Sequence, residues 1–180
     1  MTLRLPLLFA LLMWLSDADA QRGRRGNPIQ PTRAADRLAV AEAHASLDAA
    51  SWTAGLDLRC VGPTVMSGRV VDLSVNPANT GEFLVAYATG GLWHTTDHGT
   101  SFTPLFDSEV MLFIGAIAVD WEVRHIWVGT GEVNSSRSSY AGVGVYRSTD
   151  WGDSWAHMGL EDSHHIGRMA LAPDLSLIHI

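Results

Sequence analysis

The sequence predicts an all-β chain, and three observations carry that reading. From Leu56 onward apolar and polar residues alternate with a period of two, in short runs rich in Val, Ile, Trp and Tyr that Gly, Asn and Asp punctuate. A Ser/Thr-x-Asp-x-Gly-x-x-aromatic element occurs twice, as Thr95 to Phe102 and as Ser148 to Trp155, with Asp97 and Asp150 53 residues apart. Upstream of each, Gly91-Leu92-Trp93-His94 and Gly144-Val145-Tyr146-Arg147 repeat at the same spacing. Four short strands in a unit of roughly 50 residues is the blade of a β-propeller. The fold class expected is therefore all-β: a propeller fragment of about two four-stranded blades plus the first strand of a third.

Taken in order, Met1 to Ala20 has a basic start at Arg4, an apolar run from Leu5 to Leu15 and a small-residue exit at Ala18-Asp19-Ala20. That is the pattern of a secretory signal cleaved after Ala20. The run is well short of the roughly 20 residues needed to span a bilayer. Residues 21–50 read as linker and helix: an Arg/Gly-rich stretch with Arg22, Arg24 and Arg25, then a helix over Pro31 to Ala50 with Leu38, Val40, Ala41 and Leu47 near a 3.6 period. Strands follow near Leu56–Val61, Arg69–Val75, Glu82–Ala88, Gly91–Thr95, Ser101–Leu105, Ile114–Asp120, His125–Thr130, Gly144–Ser148, Ser154–His157 and Ile166–Ala172, with no helix between them. Inner-strand candidates repeat as Gly68-Arg69-Val70-Val71-Asp72, Gly115-Ala116-Ile117-Ala118-Val119 and Gly167-Arg168-Met169-Ala170-Leu171. Residues 51–174 are read as the incomplete propeller. Leu175 to Ile180 resembles the translation of a sequencing adapter, with no partner strand expected, which would make the chain an N-terminal fragment.

The element Thr95, Asp97, Gly99, Phe102 and its second copy Ser148, Asp150, Gly152, Trp155 resemble the Asp-box of the bacterial neuraminidase repeat. The longer pattern Gly62-Pro63, Ser67 to Val70 and Ala88 to Asp97 is similar to secreted propellers of the sortilin-like or glycosyl hydrolase repeat kind. The resemblance covers about Trp52 to Pro173 and implies a structural role for the boxes. The carboxylate accepts from the amides of its own turn, Gly takes a backbone angle other residues avoid, and the aromatic packs between sheets.

Composition narrows the function. With 12 basic residues, all arginine, against 19 acidic ones, the formal charge is −7, which argues against a nucleic-acid groove or a polybasic membrane arm. One cysteine, Cys60, excludes an internal disulfide framework or a thiolate zinc site. Neither a metal nor another cofactor is expected.

Blade topology places the candidate ligand-binding residues together. Loops that enter first strands or join second to third strands share one face, and the Asp-box turns lie on the other. The first face should hold Ser67 and Arg69, the Glu132-to-Tyr140 insertion, and Asp162, His164, His165 and Arg168. The insertion adds about ten residues relative to the first repeat, and polar insertions on a rigid scaffold are where binding loops sit. Within it, Glu132 and Arg137 form an acid and a cation for a ligand or an ion pair fixing the loop, and Asn134-Ser135-Ser136 matches a glycosylation sequon. His164 and His165, being adjacent, project to opposite sides of extended chain and are poorly placed to share one ion. Arg69 and Arg168 each follow a glycine, and suit either an anion near the axis or an inter-blade bond.

Two functions follow, with a purely architectural repeat as a third. The first is an exported binding module of the sortilin-like type, secreted, periplasmic or at the cell surface, for an extracellular protein, peptide or glycan. It has no nucleic-acid partner and no membrane span after signal removal. The second is a glycoside hydrolase, which needs two suitably spaced carboxyl groups. The acids available outside the boxes on the presumed face are Glu132, Glu161 and Asp162, and the Arg-Ile-Pro element of sialidases in this repeat family is absent.

Overall fold

The protein is described by a computed structural model that covers residues 32–56, 68–134, 139–172 and 177–179. The signal-like stretch, the Arg/Gly linker, Cys60, Ser67 and Arg137 lie outside the described residues, as does the strand expected at Leu56–Val61 apart from Leu56 itself.

Helix α1 (Ala34–Ala50) starts three residues later than the pattern suggested, after Arg33 in extended conformation. Its alanines favour helix, while Ala34 is buried and Leu38 packs against the main core. No helix among the described residues is long and apolar enough to cross a membrane.

The rest is β, in two antiparallel four-stranded sheets. The first comprises β1 (Val70–Val75), β2 (Phe83–Tyr87), β3 (Gly91–Thr95) and β4 (Thr103–Pro104), hydrogen-bonded in that order. The second comprises β5 (Ile114–Asp120), β6 (His125–Thr130), β7 (Val145–Ser148) and β8 (Ala156–His157) in the same up-and-down order. A third, two-stranded sheet pairs β9 (Met169–Leu171) antiparallel with β10 (Leu177–His179). The C-terminal stretch expected to lack a partner strand thus has one in β9.

The two larger sheets are copies in register as well as in order. Each inner pair carries an irregularity at the same place, between Val70 and Asp72 in β1 and between Ile114 and Ala116 in β5. Leu73 therefore corresponds to Ile117, which corrects the sequence alignment that set Val70 against Ile117. The bulge inserts a residue that no sequence spacing announces.

Strand alternation then builds the core. Leu84, Ala86 and Leu92 point from the first sheet, Ile117, Ile126, Val128 and Tyr146 from the second, and Phe106 fills the space between them. The far side of the second sheet, with Ala116, Ala118, Trp127 and Val145, is covered by Ile166 and Met169. The sheets are also joined by polar bonds: the Ile117 amide donates to Asp72 Oδ2 at 2.9 Å and Trp121 Nε1 to Ser74 Oγ at 3.0 Å.

The outer strands are shorter than expected because the turns before them consume their amides. Asp97 Oδ1 accepts from the Ser101 amide at 2.9 Å and from Thr95 Oγ1 at 2.8 Å, and Asp97 Oδ2 accepts from Ser101 Oγ at 2.6 Å. Asp150 repeats the pattern with the Ser154 amide at 2.9 Å and Ser148 Oγ at 2.7 Å. The amides of Gly99 and Gly152, at φ +82 and +96, donate to Thr95 Oγ1 and Ser148 Oγ.

The hydrogen bonds from Ser101 and Ser154, foremost among those each receives, hold both aspartates down at about 2. A depressed folded-state value means the ionised form supports the fold above the ordinary carboxylate range, and that support is lost as pH falls toward 2. Acid titration followed by amide exchange should therefore open the Ser101 and Ser154 amides together between about pH 4 and pH 2.

Candidate functional site

Alternate connections of an up-and-down sheet share an end, so the molecule has two loop faces. One face carries residues 76–82, 96–102, 121–124 and 149–155. The other carries residues 88–90, 105–113, 131–134, 139–144 and 158–168.

The second face is held together by backbone bonds between its loops. Gly131 donates to Phe113 O at 2.7 Å, Gly142 to His164 O at 2.7 Å and Ile166 to Thr130 O at 3.3 Å. Thr130 sits beneath as a buried hub, its hydroxyl donating to Gly144 O at 2.7 Å and accepting from the Val143 amide at 2.8 Å. The bond from Ile166 explains why β9 starts at Met169 instead of Ile166: the expected first residue of the strand is tied to the end of β6.

On this frame the Arg69 guanidinium meets the Glu132 carboxylate. The acid side chain is only 1% exposed and the arginine 50%. A buried carboxylate keeps its charge only with a partner, so Glu132 depends on an arginine 63 residues away. Removing that partner is costly. Arg69→Ala is expected to lower stability by about 1–3 kcal/mol, the half-exposed guanidinium keeping the loss below that of a fully buried pair, as urea unfolding would measure.

Around the pair lie groups suited to recognition. Tyr140, exposed, stacks on Phe113 with ring centroids 4.5 Å apart and planes 17° from parallel. Exposed Val133 packs beside Gly167, where a Cβ would lie 3.2 Å from its methyl carbon. Asn134 is exposed at the rim, and His164, His165 and Arg168 are exposed on the loop after β8. The two histidine rings are 6.4 Å apart and tilted by 45°. No group of three or more His, Cys, Asp or Glu among the described residues is arranged to hold a metal ion.

The opposite face holds a cluster that sequence reasoning missed. Glu82, buried, accepts from Asn76 Nδ2 at 2.7 Å, from His94 Nε2 at 3.0 Å and from Arg124 Nη1 at 3.2 Å. Burial by itself raises its pKa, but these three donors outweigh burial and hold the carboxyl below its ordinary value. Arg124 also lies 3.7 Å over the Trp151 ring, which packs edge-on to His94 at 5.4 Å and tilted against Trp121 at 5.0 Å. These residues come from both sheets and fasten them at the box end. Their only sequence signal is a single Glu heading the second strand.

No family model matches the sequence, and no curated protein matches it. Among solved structures, the chain is similar to an ancestral GH74 enzyme, at 22% identity and a TM-score of 0.44 over 57% of this chain and 14% of that one. It is also similar to YCF48 bound to D1 peptide, at 13% identity and a TM-score of 0.41 over 66% of this chain and 34% of that one. A third is YCF48 from Cyanidioschyzon merolae, at 16% identity and a TM-score of 0.37 over 54% of this chain and 29% of that one. The chain thus spans about a third or less of each of these structures.

Proposed function

We propose that the chain is part of an exported Asp-box β-propeller of the sortilin-like type, and that the loop face around Arg69 and Glu132 binds a protein, peptide or polysaccharide. One observation carries the reading: an exposed, stacked aromatic, Tyr140 on Phe113, stands in the same loop as a buried carboxylate that Arg69, just ahead of β1, holds. The ion pair fixes the loop, so the tyrosine face is presented without a further ordering cost. A flat aromatic beside amide and guanidinium donors suits a sugar ring or the planar groups of a peptide.

The three acids that the sequence places on this face favour binding over hydrolysis, while Asp107 and Glu109 on the same face have carboxyls that burial pushes up. A glycosidase acid must reach the glycosidic oxygen, whereas Glu132 is enclosed and its charge is matched by Arg69. Glu161 and Asp162 are exposed, without the apolar surroundings that tune a general acid.

The test is a nuclear magnetic resonance titration of the full chain with short neutral and acidic oligosaccharides and with short peptides. Shifts should cluster at Asn134, Tyr140 and Gly167, and Tyr140→Ala should weaken binding about tenfold, the worth of one good aromatic contact. Shifts that cluster at residues 96–102 and 149–155 would place the ligand on the other face and contradict the reading.

A further inference from the structure

Two arginines flank Tyr140, and only one of them has an acid. Arg69 meets Glu132, whose amide donates to Tyr140 O at 3.2 Å. Arg37, in the first turn of α1, reaches the next residue of the loop: its Nη1 donates to Ala141 O at 3.1 Å. The rest of that guanidinium is unused. Nε and Nη2 are shielded from solvent and have no hydrogen-bond partner, and among the described residues no carboxylate forms an ion pair with Arg37.

The helix itself offers no acid. The residues three and four positions from Arg37 are Arg33, Ala34, Val40 and Ala41, and Asp36, its immediate neighbour, points elsewhere and is exposed. A guanidinium stays charged throughout the working pH range, so its enclosure is not relieved by losing a proton. The base of the side chain is fixed as well, because Ala34 is buried and Leu38 packs against the core.

We infer that Arg37 Nε and Nη2 take the carboxylate of an acidic sugar, so that the ligand of the Tyr140 face is a uronate-bearing glycan. The inference rests on the reading of that face as a ligand site and names the ligand's chemistry. Nε–H and Nη2–H lie along one edge of the guanidinium, and this fork matches the two oxygens of a planar carboxylate. Turning about its methylene stem, the fork gives up one bond to a neutral carbonyl and gains two to an anion, each about twice as strong. Ala141 is one residue, at most about 3.6 Å of chain, from the exposed ring of Tyr140. A hexuronate carries its carboxylate directly on the ring that stacks on the tyrosine, so one rigid body meets both groups. An acidic peptide separates its carboxylates from any flat group by rotatable bonds, whose ordering costs affinity.

The experiment titrates the full chain with trigalacturonate, with neutral galactotriose and with hexaglutamate, reading the Arg37 Nε–H and the Tyr140 and Ala141 amides by nuclear magnetic resonance. Trigalacturonate should move all three signals and bind at least tenfold more tightly than galactotriose, which should leave the Nε–H in place. Arg37→Gln should abolish that preference, and Arg37→Lys, a cation without the fork, should restore only part of it. The Nε–H signal is read in the unaltered protein, so it holds even where a substitution loosens α1.

An Nε–H that stays unmoved by trigalacturonate while the Tyr140 amide shifts would overturn the inference and leave the ligand face standing. Equal weakening of both sugars in Arg37→Gln would overturn it too, because the arginine would then serve only to hold the loop. So would hexaglutamate moving the Nε–H where trigalacturonate does not, which would make the partner an acidic peptide. Silence of all three signals with every probe would fail the ligand-face reading itself, and this inference with it.

Discussion

Replacing Phe106 by alanine is expected to destabilise the protein by about 3–5 kcal/mol, the range for truncating a buried aromatic. The ring is fully buried, and it is the contact through which the connection after β4 reaches into the second sheet. Its neighbours cannot relax into the space. Tyr146 is held in the middle of β7, and Trp155 is tied by its indole N–H to Leu105 O at 2.9 Å. A domain of ordinary stability, about 5–15 kcal/mol, would lose a large share of it. Phe102→Ala is the control, since Phe102 is only half-buried and meets Phe83 edge-on at 6.1 Å. Urea midpoints should rank the two clearly, and a Phe106→Ala cost under about 1 kcal/mol would mean that the sheets do not share this ring.

Gly131→Ala is the second change with a large expected effect. Gly131 has φ +89, and a Cβ there would stand 2.0 Å from His164 O and 2.7 Å from the Gly142 amide nitrogen. Both obstacles are backbone. The loops after β6 and β8 would have to part, breaking the 2.7 Å bond from Gly142 to His164 O and freeing the segment that carries Glu132 and Tyr140. Left-handed strain of about 1–2 kcal/mol adds to that loss, for a total of about 2–4 kcal/mol. Gly159→Ala separates the two contributions. It has φ +93 with nothing within 4 Å of the added carbon, so strain alone should register, at about 1 kcal/mol. Equal costs for the two substitutions would show that the loops are not in contact at Gly131.

Much of the fold was legible because its signals are local. Asp97 and Asp150 bond to residues two and four positions away, so a short motif carries the whole turn. Near-continuous apolar runs, such as Ile114–Asp120 and His125–Thr130, stand at the bounds the sequence gives. The ends of Ser101–Leu105 and Ser154–His157 were not legible, because side-chain carboxylates take the amides that a ladder would use.

The site was legible only in outline. Loop topology groups Arg69 with the Glu132 insertion, yet the pair itself spans 63 residues and leaves no trace in either local sequence. The stacking of Tyr140 on Phe113 and the bonds of Glu82 to His94 and Arg124 are hidden in the same way. Each partner reads as an ordinary strand or loop residue until the sheets are laid together. The one-residue irregularities in β1 and β5 are hidden too, and their matching places set Leu73, not Val70, against Ile117.

Two copies of one sheet are stacked and joined through their inner strands, and amide exchange at Ile117 in Asp72→Ala probes that junction. That amide donates across the sheets to the Asp72 carboxylate. Its exchange should quicken at least tenfold relative to amides inside the β5–β6 ladder, which serve as the internal reference for any overall loss of stability. An Ile117 amide that stays as protected as in the parent protein, with the ladder unchanged, would show that the sheets do not meet there.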